Sequence, residues 1–148
     1  MSKSLFRRRA PLSIALAGVL GIVLASATLS QPMSTQQIVL SGSNEVPPVT
    51  TSASGTGTVT INPDHSVSAS ITVTGMTATA SHIHEGAAGA NGPVIVPFSK
   101  TGDNTFAAPA GAKLTDSQYA SYKAGNLYVN VHSMQHPGGE IRAQLKGN

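Results

Sequence analysis

The chain has 148 residues, 40% hydrophobic, 10% charged and 4% aromatic, with no Cys and no Trp. One core-forming domain fits that length, and the lack of Cys excludes disulfides, thiolate metal ligands, iron–sulfur clusters and cysteine nucleophiles. Four of the nine basic residues (Lys3, Arg7, Arg8 and Arg9) precede residue 10, and the remainder sets five basic residues against six acidic ones, a net of −1, so no basic stripe points to nucleic acid.

Residues 1–27 have the three parts of a secretory signal. A basic start at Lys3 to Arg9 leads into an apolar run from Pro11 to Leu24, and Ala25-Ser26-Ala27 supplies the small-x-small exit. Export to the periplasm or the outside is therefore expected. An uncleaved N-terminal membrane anchor is the alternative, and the Arg run also permits twin-arginine export. Residues 28–35 are polar and read as a flexible spacer, leaving 36–148 as the folded domain.

Short runs rich in β-branched residues follow, separated by Gly, Pro, Asn and Asp. Strands are predicted at Gln37–Ser41, Gly57–Ile61, Val67–Val73, Ala80–His84, Val94–Pro97, Leu127–Ser133 and Glu140–Leu145. Asn62-Pro63-Asp64-His65 carries turn chemistry between two of them. Ser99–Lys113 shows little periodicity and reads as a loop with one weak strand near Thr105–Ala107. Thr115-Asp116-Ser117-Gln118 is a capping-box pattern and Gly125 a stop signal, which predicts one short helix over Thr115–Ala124. Seven strands and one helix in about 110 residues indicate an all-β fold, an antiparallel Greek-key sandwich or barrel of the immunoglobulin-like kind. There is no solenoid repeat, nucleophile elbow, phosphate loop or calcium loop.

The reactive residue types concentrate in two stretches. In Ser81-His82-Ile83-His84-Glu85-Gly86 the strand period of two puts His82 and His84 on one face and Ile83 on the other. The second stretch, Tyr128 to Arg142, alternates apolar Leu127, Val129 and Val131 with polar Tyr128, Asn130 and His132. It then turns through Gln135–Gly139 into Glu140-Ile141-Arg142. Four of five His residues, namely His82, His84, His132 and His136, lie in these stretches, and neutral imidazole is a good ligand for copper or zinc without any thiolate. Three such ligands would leave an open position for a small molecule. The bland alternative makes the same imidazoles half-buried surface polars. Glu85 is a candidate to orient a ligating His, or else a solvated turn carboxylate. Glu45, beside Pro47-Pro48, reads as a carboxylate bonding backbone amides or Arg142. Arg142 either pairs with a carboxylate or attracts a small anion. Met134 is either a soft copper ligand or packing.

Ordered motifs give the chain a family resemblance. Leu40-Ser41-Gly42-Ser43-Asn44-Glu45-Val46-Pro47-Pro48, Gly55-Thr56-Gly57, His82-Ile83-His84 with Gly89-Ala90-Asn91-Gly92-Pro93-Val94, Gly125 to His132, and Pro137 to Leu145 together resemble the chordin-like CHRD domain family. That resemblance implies a secreted β-rich module and little about biochemistry. A fainter likeness is to the copper–zinc superoxide dismutases, whose His-x-His-Glu and Val-His strands are similar to His82-Ile83-His84-Glu85 and Val131-His132. It implies copper ligation by His82, His84 and His132, with His136 an optional fourth ligand and Arg142 guiding an anion such as superoxide. The disulfide Cys pair and the His-rich zinc loop of those enzymes are missing here. Three readings result: a copper protein with dismutase-like activity, a copper carrier, and a non-catalytic interaction or matrix module.

Overall fold

The computed structural model describes residues 34–147; the leader expected at 1–27, and the spacer as far as residue 33, lie outside the described residues. Residues 34 and 35, assigned above to the spacer, already belong to the first strand. Nine strands are present among the described residues: β1 (Ser34–Ser41), β2 (Ser54–Ile61), β3 (Val67–Thr74), β4 (Ala78–Glu85), β5 (Val94–Pro97), β6 (Ser99–Gly102), β7 (Thr105–Ala107), β8 (Leu127–Ser133) and β9 (Ile141–Gln144). One helix, α1 (Asp116–Lys123), and a 3-10 turn at Gly42–Asn44 complete the elements of the described residues.

All strand pairs are antiparallel, in the order β5-β4-β8-β9-β1-β2-β3-β7-β6. The two ends of that order are joined in sequence by Phe98 alone. One extended run, 94–102, therefore pairs first with β4 and then with β7, drawing the sheet into a nearly closed barrel. Closure of this kind protects the edges of an antiparallel sheet. The described residues form the expected all-β barrel with one short helix. β6, taken as loop above, is the strand its sequence hid: all four of its residues are exposed, so no apolar alternation marks it.

The interior is filled by inward side chains of the strands, among them Leu40, Val59, Ile71, Ile83, Phe106, Val129, Val131 and Ile141. β3 shows the usual alternation, with Val67, Ile71 and Val73 buried and Ser68, Ser70, Thr72 and Thr74 exposed. The Asn62–His65 turn closes as expected: His65 N–H donates to the Asn62 carbonyl, and Asp64 accepts from the Ser66 amide and hydroxyl. α1 carries the full capping box, with Gln118 N–H donating to Thr115 Oγ1 at 3.2 Å and Thr115 N–H donating to Gln118 Oε1 at 2.9 Å. Gly125 follows in the left-handed region, φ +76°, where glycine ends a helix at least cost.

β8 breaks the one-face rule. Tyr128 and Asn130 point away from the barrel interior yet are as buried as Val129 and Val131. Their cover is a second layer of chain. Asn91 in the 86–93 loop donates to the Val46 carbonyl at 2.8 Å, linking that loop to the 42–49 turn. Polar side chains are thus enclosed on the outer side of β8 and β9, and the candidate site lies at the rim of this layer.

Candidate metal centre

β4 and β8 pair with Cα partners His82↔Asn130, His84↔Tyr128 and Ala80↔His132. Ile83 is fully buried in the core, which commits His82 and His84 to the outer face. On β8, Val129 and Val131 fill the core and send His132 to that same outer face. The sheet therefore sets three imidazoles side by side. Among the described residues, His82, His84 and His132 form a group in which one nitrogen from each lies within 4.8 Å of the others. Ring centroids are 4.9 Å apart for His82 and His132, 5.5 Å for His82 and His84, and 6.1 Å for His84 and His132.

Backbone carbonyls assign the protons. His84 Nδ1 lies 2.9 Å from the Gly92 carbonyl, and His132 Nδ1 lies 2.9 Å from that of Pro137. A carbonyl only accepts, so each Nδ1 carries the hydrogen and each Nε2 presents its lone pair. His132 Nε2 lies 3.1 Å from His82 Nδ1. His84 Nε2 is buried and has no hydrogen-bond partner. An orphaned buried nitrogen is costly, and a metal ion entering the group of three would satisfy it. The preset donors are then Nε2 of His84 and His132, whereas His82 Nδ1 donates to His132 Nε2 in the metal-free protein and would become a third donor once that ring takes its Nε2–H tautomer.

Two of the rings, His82 and His132, are held toward the neutral, ligand-ready state. Burial, followed by the neighbouring His132 and His84 rings, pushes the His82 imidazole down to about 4. Burial also lowers His132, against the opposing pull of the Pro137 carbonyl, with the nearby His84 adding to the fall. Neutral imidazoles without thiolate or carboxylate suit copper or zinc, and three ligands leave a coordination position free. The residues present fit such an ion.

The other expected participants take different places. His136 stays outside the group of three: its amide donates to Ser133 Oγ and its carbonyl accepts from the Gly139 amide, so its backbone closes the turn after β8. Glu85 does not orient an imidazole; it accepts from Ser121 Oγ at 2.5 Å and ties α1 to β4. Met134 is 84% exposed, which removes the packing alternative. Glu45 is buried with one carboxylate oxygen unpartnered, and burial raises its carboxyl above the ordinary value despite the Arg142 charge and a bond from Asn130.

Arg142 differs most from expectation. It is 1% exposed, and its guanidinium donates to the carbonyls of Ala87 at 3.2 Å and Ala90 at 2.8 Å and to Asn91 Oδ1 at 3.3 Å. A side chain so enclosed braces the 86–93 loop and offers no open cationic surface to an anion. The carbonyls of Gly92 and Pro137, and Tyr128 stacked on His84 at 4.8 Å, complete the surroundings of the site. Sequence reading missed the part played by both carbonyls. A peptide carbonyl carries no residue-type signal, although the strand period did place Tyr128 on the His132 face.

Comparison with curated proteins finds no match, and comparison with solved structures finds none. A family model described as the CHRD domain matches residues 36–145, three quarters of the chain and nearly all of the barrel with its His group. The chain belongs to the CHRD domain family.

Proposed function

We propose that this CHRD protein holds one copper ion, exported from the cytoplasm, through His82, His84 and His132. The observation that carries the reading is the buried, partnerless Nε2 of His84, set beside two further imidazole nitrogens. Copper ranks above zinc because a nitrogen-only site follows the general order of divalent affinities, in which Cu²⁺ exceeds Zn²⁺. Export rests on the signal-like pattern of residues 1–27. Copper or zinc should raise the melting temperature of the wild-type protein, since a ligand that binds only the native state adds stability. The His82→Ala/His84→Ala variant should show no rise. An unchanged wild-type melting temperature in both metals would overturn the reading and favour the interaction module.

A second reading, dismutation of superoxide, is favoured by the free coordination position and by the half-buried, partly accessible rings of His82 and His132. Bound copper would supply one-electron redox chemistry, and the chain's own part is to bind and orient it. Arg142 is not available to steer the anion, so any catalysis would depend little on ionic strength. Superoxide turnover no faster than that of His132→Ala would leave holding or carrying copper as the function.

A further inference from the structure

Burying a guanidinium is expensive unless it is bonded throughout, and Arg142 is among the most deeply buried side chains of the barrel. Its surroundings repay that cost in a directed way. The guanidinium carbon sits 3.4 Å from the Tyr128 ring centroid, a cation–π contact at stacking distance. The Tyr128 ring in turn lies parallel to the His84 imidazole, 4.8 Å away with 4° between the planes. Because β4 and β9 flank β8 on opposite sides, Arg142 and His84 reach Tyr128 from opposite strands. Three flat groups therefore form one column ending on a metal-capable ring.

The loop supplies a second link. Arg142 grips Ala87, Ala90 and Asn91, one residue before Gly92. Gly92 N–H donates to the Tyr128 hydroxyl at 3.2 Å, and the Gly92 carbonyl fixes His84 Nδ1. A Cβ on Gly92 would lie 1.6 Å from the Glu85 carbonyl oxygen, so the loop closes on β4 only with glycine at that position.

The geometry points to Arg142 as a positioning residue for His84, acting through Tyr128 and the 86–93 loop to hold the ring with Nδ1 protonated and Nε2 aimed into the group of three. The assignment rests on the metal reading for its purpose but can be tested without metal. Lysine keeps the charge of Arg142 and loses the planar fork and the stack, so Arg142→Lys should not rescue the position.

Two readouts decide the point. Nitrogen NMR of the metal-free protein should show His84 as a single Nδ1–H tautomer in wild type and as a mixture in Arg142→Lys, with amide dispersion retained. Zinc titration should show affinity about 10–100-fold weaker in Arg142→Lys, the loss typical of removing a group that orients a ligand. Should Arg142→Lys fail to fold, Tyr128→Leu gives the same two readouts by removing the ring through which Arg142 reaches His84. A folded variant with the wild-type tautomer and zinc affinity within about twofold would overturn the assignment, as would a wild-type His84 that is already mixed. Absence of metal binding in wild type would sink the proposed function instead, and the tautomer would still decide the positioning role.

Discussion

β3 and β8 are strands of the same barrel with inward faces of the same kind, yet their outward faces have opposite fates. Ser68, Ser70, Thr72 and Thr74 on β3 lie in solvent, and any small polar residue would serve there. On β8, Tyr128 and Asn130 are covered, and His132 stands half-buried at the edge of the cover. The inward faces teach that period-two alternation builds the barrel. The outward faces teach that a site arises where distant chain segments roof one stretch of wall, excluding water and fixing polar groups against backbone carbonyls.

That contrast can be broken by substitution. The largest loss of stability is expected for Arg142→Ala, which empties a buried space against Tyr128, frees the part-buried loop carbonyls and leaves buried Glu45 without its nearby positive charge, and which should cost about 3–5 kcal/mol in denaturant unfolding. Core truncation should not distinguish the strands: Ile71→Ala on β3 and Leu127→Ala on β8 should each cost about 2–5 kcal/mol. Loss of the capping hydroxyl in Thr115→Ala should cost about 1 kcal/mol, because Gln118 N–H loses its acceptor. Thr72→Ala, on the exposed face of β3, should fall within about 0.5 kcal/mol of wild type. An equally small effect for Arg142→Ala would abolish the distinction between the two outer faces.

Acid sharpens the same comparison. The folded His82 imidazole sits near 4, below its ordinary 6.5, so between those values the unfolded chain takes up a proton that the native state resists. The stability linked to His82 is therefore complete above about 6.5 and is lost as pH falls toward about 4. Melting temperature measured across that window should drop less steeply in His82→Gln than in wild type. Parallel profiles would contradict the burial of this ring.

Much of the barrel was legible because β-branched runs and turn residues mark strands directly, and because Thr115 and Gln118 announce the helix start. Period two also placed His82 and His84 together, with Ile83 opposed. β6 was hidden because Ser99-Lys100-Thr101-Gly102 buries nothing and forms a strand only by pairing with β7. The union of β4 with β8 joins residues about fifty apart, so periodicity alone did not bring His132 to His82; the economy of His and the family likeness suggested it. Arg142 was misread for a related reason. Its partners Ala87, Ala90 and Asn91 are carbonyl and amide groups more than fifty residues upstream, and nothing local distinguishes a buried arginine from an exposed one.

X-ray absorption on the copper-loaded protein tests the central claim most directly. The account predicts one ion per chain with three imidazole nitrogens at about 2.0 Å, the usual metal–imidazole distance, and loss of that scattering in His82→Ala/His84→Ala. Copper bound without imidazole scattering, or bound identically by the variant, would contradict it.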